Sequence, residues 1–273
     1  MSGFELEFDE SFDGERLDEQ RWIPFYLPHW SDWDRAAARY AIGGGQLHLL
    51  IEEDQPAWCP ELDGELRVSS LQTALFAGEP GTSLGQHQFD PPAVVRNGPH
   101  DVRRYAPMFG RFEVRARASA DPRLMVALWM IGIGDTPERS GEICICEIFG
   151  KDVTPASAGI GIGVHPHGDP AIVDDFECVR LSIDACEVHD YAAEWTPDRI
   201  DFLVDGQLVK TVQQSIAYPM QLMLNVYEFP AEPGAESGPA GYPKRFIVDH
   251  VRGYRYLGDA TAETRPLSSA MRP

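Results

Sequence analysis

Lysine is almost missing. Only Lys151, Lys210 and Lys244 occur in 273 residues, and 23 Lys and Arg face 43 Asp and Glu, for a formal charge of −20. So acidic a chain lacks the basic patch that displaces counterions from nucleic acid or holds an anionic lipid surface. The same shortage disfavours sulfated or uronic-acid polymers and leaves a neutral partner. No apolar run approaches the roughly 20 residues of a membrane helix. The opening MSGFELEFDE has neither a basic start nor an apolar stretch, so no signal peptide is expected and the sequence alone reads as cytoplasmic. None of the five cysteines falls in a zinc spacing. Cys144 and Cys146 are too close on one strand to pair, and Cys178 and Cys186 read as buried thiols rather than a cross-hairpin disulfide. Long amphipathic helices and internal repeats are missing too. Many short strands with turn signals remain, which is the pattern of an all-β antiparallel sandwich, and residues 1–273 suffice for one such domain.

What stands out is Ser140 to Gly150, SGEICICEIFG. Ile, Cys and Phe between glycines make a strand, and two carboxylates sit on it. Strict alternation would send Glu142 and Cys144 to one face and Glu147 to the opposite, apolar one, where an unpaired carboxylate costs several kcal/mol. One extra residue, a β-bulge at Ile145 or Cys146, returns Glu147 to the face of Glu142. Two glutamates so placed reach the roughly 5 Å separation of a retaining glycoside hydrolase. Spacing alone also fits a sheet edge with two solvated acids.

Elsewhere, Gln46 to Glu52, Arg67 to Phe76, Gly110 to Ala118, Leu124 to Ile131, Gly159 to His167, Met220 to Val226 and Phe246 to Tyr256 read as strands. Ile200, Phe202 and Val204 alternate into a core ahead of Asp205-Gly206, a two-residue hairpin turn. Asp34 to Tyr40 reads as a short helical turn. Tyr26, Trp30 and Trp33 cluster in a loop that Pro24 and Pro28 keep non-helical, and their rings suit either sugar stacking or a core. Residues 78–104 are rich in Gly, Pro and His with little periodicity, a long functional loop.

The run Glu142-x-Cys144-x-x-Glu147 resembles the Glu-x-Asp-x-x-Glu signature of family 16 glycoside hydrolases, with Cys144 where the family has Asp. FDESFDGERLDEQRW near the start, HDYAAEWTPDRIDFLVDG at 189–206 and FIVDHVRGYRY at 246–256 are similar to the family as well. The resemblance implies a concanavalin A-like jelly roll with a glycan cleft on the concave face, and makes 78–104 an insertion over one end of that cleft. It implies Glu142 as nucleophile, Glu147 as acid/base, and Cys144 in the place of a residue that hydrogen-bonds the nucleophile. His165 and Asn225 match cleft positions, Trp195 becomes a candidate cleft wall, and Trp129 fits cleft or core. Met125 stands where a sugar-stacking Trp is often found. The implied activity is retaining endo-hydrolysis of a β-linked polysaccharide or oligosaccharide, β-1,3-glucan first, by a monomer that needs no cofactor. Transglycosylation of the same glycans, or binding with weak catalysis, are the alternatives. Relatives are usually exported. Many hold a structural calcium through the Asp that Asp249 matches, but Ser11 replaces the N-terminal acid of that set.

Overall fold

The computed structural model describes residues 3–88, 93–231 and 241–258. In chain order its strands are β1 (Phe4–Glu10), β2 (Arg39–Gly43), β3 (Gln46–Ile51), β4 (Arg67–Gln72), β5 (Ala74–Ala77), β6 (His100–Arg103), β7 (Gly110–Arg117) and β8 (Leu124–Gly132). They continue with β9 (Glu142–Phe149), β10 (Val153–Thr154), β11 (Ser157–His165), β12 (Asp175–Leu181), β13 (His189–Trp195), β14 (Ile200–Val204), β15 (Gln207–Val212), β16 (Met220–Glu228) and β17 (Lys244–Tyr256). One sheet has the order β15-β14-β13-β7-β17-β3-β2 with β1 also on β17; the other is β10-β11-β9-β8-β16-β4 with β12 on β11. Every pairing between the described strands is antiparallel, as expected for a jelly roll.

Alternation decides which residues meet between the sheets. From the first sheet Leu49, Phe112, Val114, Phe202 and Val248 point inward; from the second come Val126, Leu128, Ile143, Ile160 and Leu224. The Asp205-Gly206 turn has φ of 49° and 73° and closes β14 onto β15, the mirror-image turn that Asp-Gly favours.

A second apolar layer lies on the outer face of the second sheet. Tyr26, Leu27, Trp30, Trp58, Ala93 and Val95 pack there over Met125, Ala127, Trp129, Met223 and Tyr227. Long loops therefore roof part of the face that the alternation leaves for a groove. Within the expected insertion, β6 pairs with β5 in a small separate sheet, so 78–104 is not wholly loop; residues 89–92 of it lie outside the described residues.

At one end the sheets are bolted by charge. The Glu228 side chain, fully buried, receives Lys244 Nζ at 2.8 Å, the Tyr242 hydroxyl at 2.9 Å, Arg123 at 3.2 Å and Arg67 at 3.3 Å. Lys244 also meets Asp121 at 2.8 Å. Glu228, Lys244 and Asp121 are desolvated and answer one another, while Arg67 and Arg123 stay partly in solvent.

Three local expectations need correction. The helical turn spans Trp33–Ala36 only, and Tyr40 belongs to β2, where pairing with β3 overrides local propensity. Edge strand β12 carries Cys178 exposed to solvent rather than buried, and Cys186 half-buried; both are free thiols. Trp195, taken as a cleft wall, lies fully buried in the core between the sheets, because β13 belongs to the first sheet and its indole Nε1 donates to Ile216 O at 3.0 Å.

Candidate active site

β9 carries the bulge. Leu128 on β8 faces Cys146, but its neighbour Trp129 faces Cys144; on β11, Gly161 faces Glu147 and Gly163 faces Cys144. Ile145 and Cys146 therefore both turn into the inter-sheet core, and Glu142, Cys144 and Glu147 share the outer face. Glycine lets β11 come close here. A Cβ on Gly161 would lie 3.2 Å from the Glu147 Cβ and 2.7 Å from the Phe176 ring.

The two carboxylates meet across one sulfur. Cys144 Sγ donates to Glu142 Oε1 at 2.9 Å and lies 3.6 Å from Glu147 Oε1. The two Oε1 atoms can thus be no farther apart than the two contacts laid end to end, about 6.5 Å. One thiol hydrogen serves one acceptor, and the shorter contact takes it.

Their environments push the two acids apart. Burial opposes charge on Glu142, which is 5% exposed, but the His167 hydrogen bond (Nε2 to Oε2, 2.7 Å), the nearby His87 and the thiol outweigh it and hold its pKa below the usual carboxylate value. Glu147 is pushed up to about 7, by burial first and then by the charge on Glu142. Burial and both carboxylates push the Cys144 thiol well above its ordinary range, so it stays protonated. One acid kept ionised beside one kept protonated is the division of labour that a nucleophile and a general acid require.

His165 lies across from Glu142 on β11, with Nδ1 2.7 Å from Asp174 Oδ2 and its ring stacked on Phe176 at 4.7 Å. Trp129 and Asn225 are on the same sheet face, joined by an Nε1 to Oδ1 bond of 2.8 Å, but both are covered by the roof, Trp129 at 3% exposure. Of the loop aromatics, Trp30 is buried in that roof with Nε1 on Gln86 O at 2.9 Å, while Trp33 is 37% exposed. A cavity of about 420 Å³, lined by Ser83, Gly85, Thr136, Ser140, His167 and Gly168, opens beside His167, the partner of Glu142.

Two site residues escaped the sequence reading. His167 is two residues past His165, but its φ of 45° puts it outside the strand, where alternation says nothing. His87 comes from the aperiodic loop, also with positive φ (47°); its ring stands 5.0 Å from that of His167 and 5.3 Å from Trp129, and burial lowers its pKa to about 4. The two histidines of the aperiodic stretch 78–104, His87 and His100, were the only available signal.

The calcium set does not fit. Asp249 Oδ1 accepts from Gln46 Nε2 at 2.7 Å and Oδ2 faces Arg115 at 3.5 Å, so both oxygens already meet donors, and Ser11 instead donates to Asp13.

The pH profile follows from these shifts. Glu147 must carry a proton to act as acid, so activity should fall as pH rises through about 7. Glu142 must be ionised, so the acid limb should lie below the usual carboxylate value. His167→Ala should move that acid limb upward while leaving the alkaline limb in place; kcat/KM against pH for both proteins checks it.

Residues 95–239 match the sequence profile described as glycosyl hydrolases family 16. A β-glucanase of Rhodothermus marinus is 25% identical over 178 residues, 55% of this chain and 58% of that protein. A glucan endo-1,3-β-glucosidase of Cryptopygus antarcticus is 31% identical over 110 residues, 38% of this chain and 39% of the other. The chain thus spans little more than half the length of the first of these and less of the second. Among solved structures, a GlcNAcα1-4Gal-releasing endo-β-galactosidase from Clostridium perfringens superposes with a TM-score of 0.79 at 28% identity, over 94% of this chain and 64% of that one. The laminarinase of Rhodothermus marinus superposes at 0.64 and 21% identity over 93% and 98%, a likeness of fold.

Proposed function

This chain belongs to family 16 of the glycosyl hydrolases, and from that premise we propose that it is a retaining, endo-acting hydrolase of a neutral β-linked glycan, β-1,3-glucan first. One observation carries the reading: Glu142 and Glu147 contact one sulfur from the same face, with their pKa values driven in opposite directions. With the two Oε1 atoms at most about 6.5 Å apart, the pair falls on the retaining side of the inverting range.

Glu142 attacks the anomeric carbon as Glu147 gives its proton to the departing oxygen; the glycosidic bond breaks and a glycosyl ester forms on Glu142. Water then yields a proton to Glu147 and attacks the same carbon, the ester breaks, and both carboxyls return to their starting states. Two inversions give net retention. His167 is a positioning residue here: it holds Glu142 as a carboxylate and leaves the Oε1 side to the thiol.

β-Glucanase and endo-1,3-β-glucosidase relatives support the glucan. A β-galactoside is the second reading, favoured by the likeness to the Clostridium endo-β-galactosidase. A reducing-end assay on laminarin, mixed-linkage glucan, a neutral β-galactan and an acidic glycan, run beside Glu142→Gln, tests both. Release from a neutral glycan that the variant lacks is expected. Binding with no new reducing ends would refute hydrolysis.

Cys144 donates weakly and carries no charge, so it does less than an Asp to hold the proton on Glu147. Cys144→Asp should therefore raise kcat and shift the alkaline limb upward. A slower variant with an unmoved limb would contradict this account of the position.

A further inference from the structure

The nucleophile candidate has two imidazoles within reach, and keeping it ionised engages only that of His167 by a hydrogen bond. His87, Glu142 and His167 each offer one ligand atom, and the three atoms lie within 4.8 Å of one another. They come from three separate segments: the loop after β5, the start of β9, and the turn after β11. Both histidines hold left-handed backbones, φ 47° and 45°, conformations that cost a non-glycine residue about 1 kcal/mol or more and persist where the surroundings demand them. Both rings are thereby brought to the same carboxylate.

We propose that this trio is a binding site for a divalent transition metal, zinc foremost, and that occupancy silences hydrolysis by engaging Glu142. Two imidazole nitrogens and one carboxylate oxygen form a donor set that zinc accepts with a fourth position open. Zn–N bonds of about 2.0–2.1 Å bring ligand atoms closer together than the 4.8 Å limit within which these three lie, so binding draws the trio inward. Glu142 Oε1 already accepts from the Cys144 thiol, an outer contact that fixes the plane of the ligating carboxylate. The cavity bordered by His167 supplies an entry path and room for a water in the open position. A neighbouring set, Glu142, Cys144 and His165, has similar spacing, but its sulfur is wholly buried, whereas His167 is exposed. Once bound, the metal holds the oxygen lone pairs that would attack the anomeric carbon, so metal and glycosyl ester exclude each other. The proposal depends on the hydrolase reading only for that last consequence.

The test is calorimetric titration of Zn²⁺ into the chelator-treated full chain without substrate, with glycan hydrolysis measured separately over the same zinc range. One zinc per chain is expected. His167→Ala and His87→Ala should each weaken binding at least about tenfold, since even outer partners of metal ligands cost that much. Cys144→Ser should change it by only a few-fold, and activity lost on adding zinc should return with EDTA. His167 is exposed, so its variant stays informative even if His87→Ala fails to fold. No stoichiometric binding, or binding indifferent to His167→Ala, overturns the site. Loss with Cys144→Ser while His167→Ala binds normally overturns it in favour of the sulfur-containing set. Stoichiometric zinc binding in a chain that cleaves no glycan upholds the site and removes the hydrolase reading; hydrolysis without zinc binding does the reverse.

Discussion

Glu142→Gln should abolish glycan hydrolysis, with kcat/KM falling by about four orders of magnitude, the scale expected when a covalent nucleophile is lost. The amide keeps the shape of the carboxyl and can still meet Cys144 and His167, but it cannot form the glycosyl ester. Glu147→Gln behaves differently. It removes the proton donor, so hydrolysis of a glycan should drop by about 10²–10⁴, while an aryl glycoside whose leaving group needs no proton should lose far less in its first step. Chemical rescue separates the two roles. With azide, Glu142→Ala should give an inverted glycosyl azide in one displacement, and Glu147→Ala a retained one in two. Identical products from both variants would sink the assignment of roles.

The second large effect is on stability. Glu228 is buried at the meeting of β16, β17 and β4 and answers Lys244, Arg67 and Arg123. Glu228→Ala leaves those cations facing a desolvated gap and should cost about 3–5 kcal/mol. In a chain of this size that is a fall in Tm of about 10 °C. Lys244→Met should cost a similar amount, because Asp121 and Glu228 then lose their shared counter-ion. Arg255→Ala, in an exposed pair with Glu5, should lie within about 0.5 kcal/mol of the parent. Thermal melts of the three variants provide the measurement. Equal Tm values for Glu228→Ala and Arg255→Ala would mean that the buried network does not bolt the sheets.

Much of this was legible before any coordinates. Alternation in GRFEVRARA located β7 and its inward Phe112 and Val114, and the conflict between alternation and Glu147 located the bulge. Local pattern could not place Trp195: an indole next to polar residues reads the same whether its strand joins the groove sheet or the opposite one, and only pairing with β7 decides. Trp129 and Asn225 lie on the face that alternation assigns them, yet loops distant in sequence cover them. His87 and His167 sit at positive φ in loops, where no period operates. Long-range closure set these features, and a short window of sequence does not contain it.

The additional residue in β9 has a meaning of its own. Excise Ile145 and the ribbon becomes perfectly regular, with the acids four apart and still looking outward. Facing therefore needs only the right parity, and a shorter ribbon supplies it too. What the longer one adds is an aliphatic plug beneath the catalytic floor and a sharper coil between its two ends. The angle at which the two carboxyls address a sugar is thus set from below, by a side chain that no substrate touches.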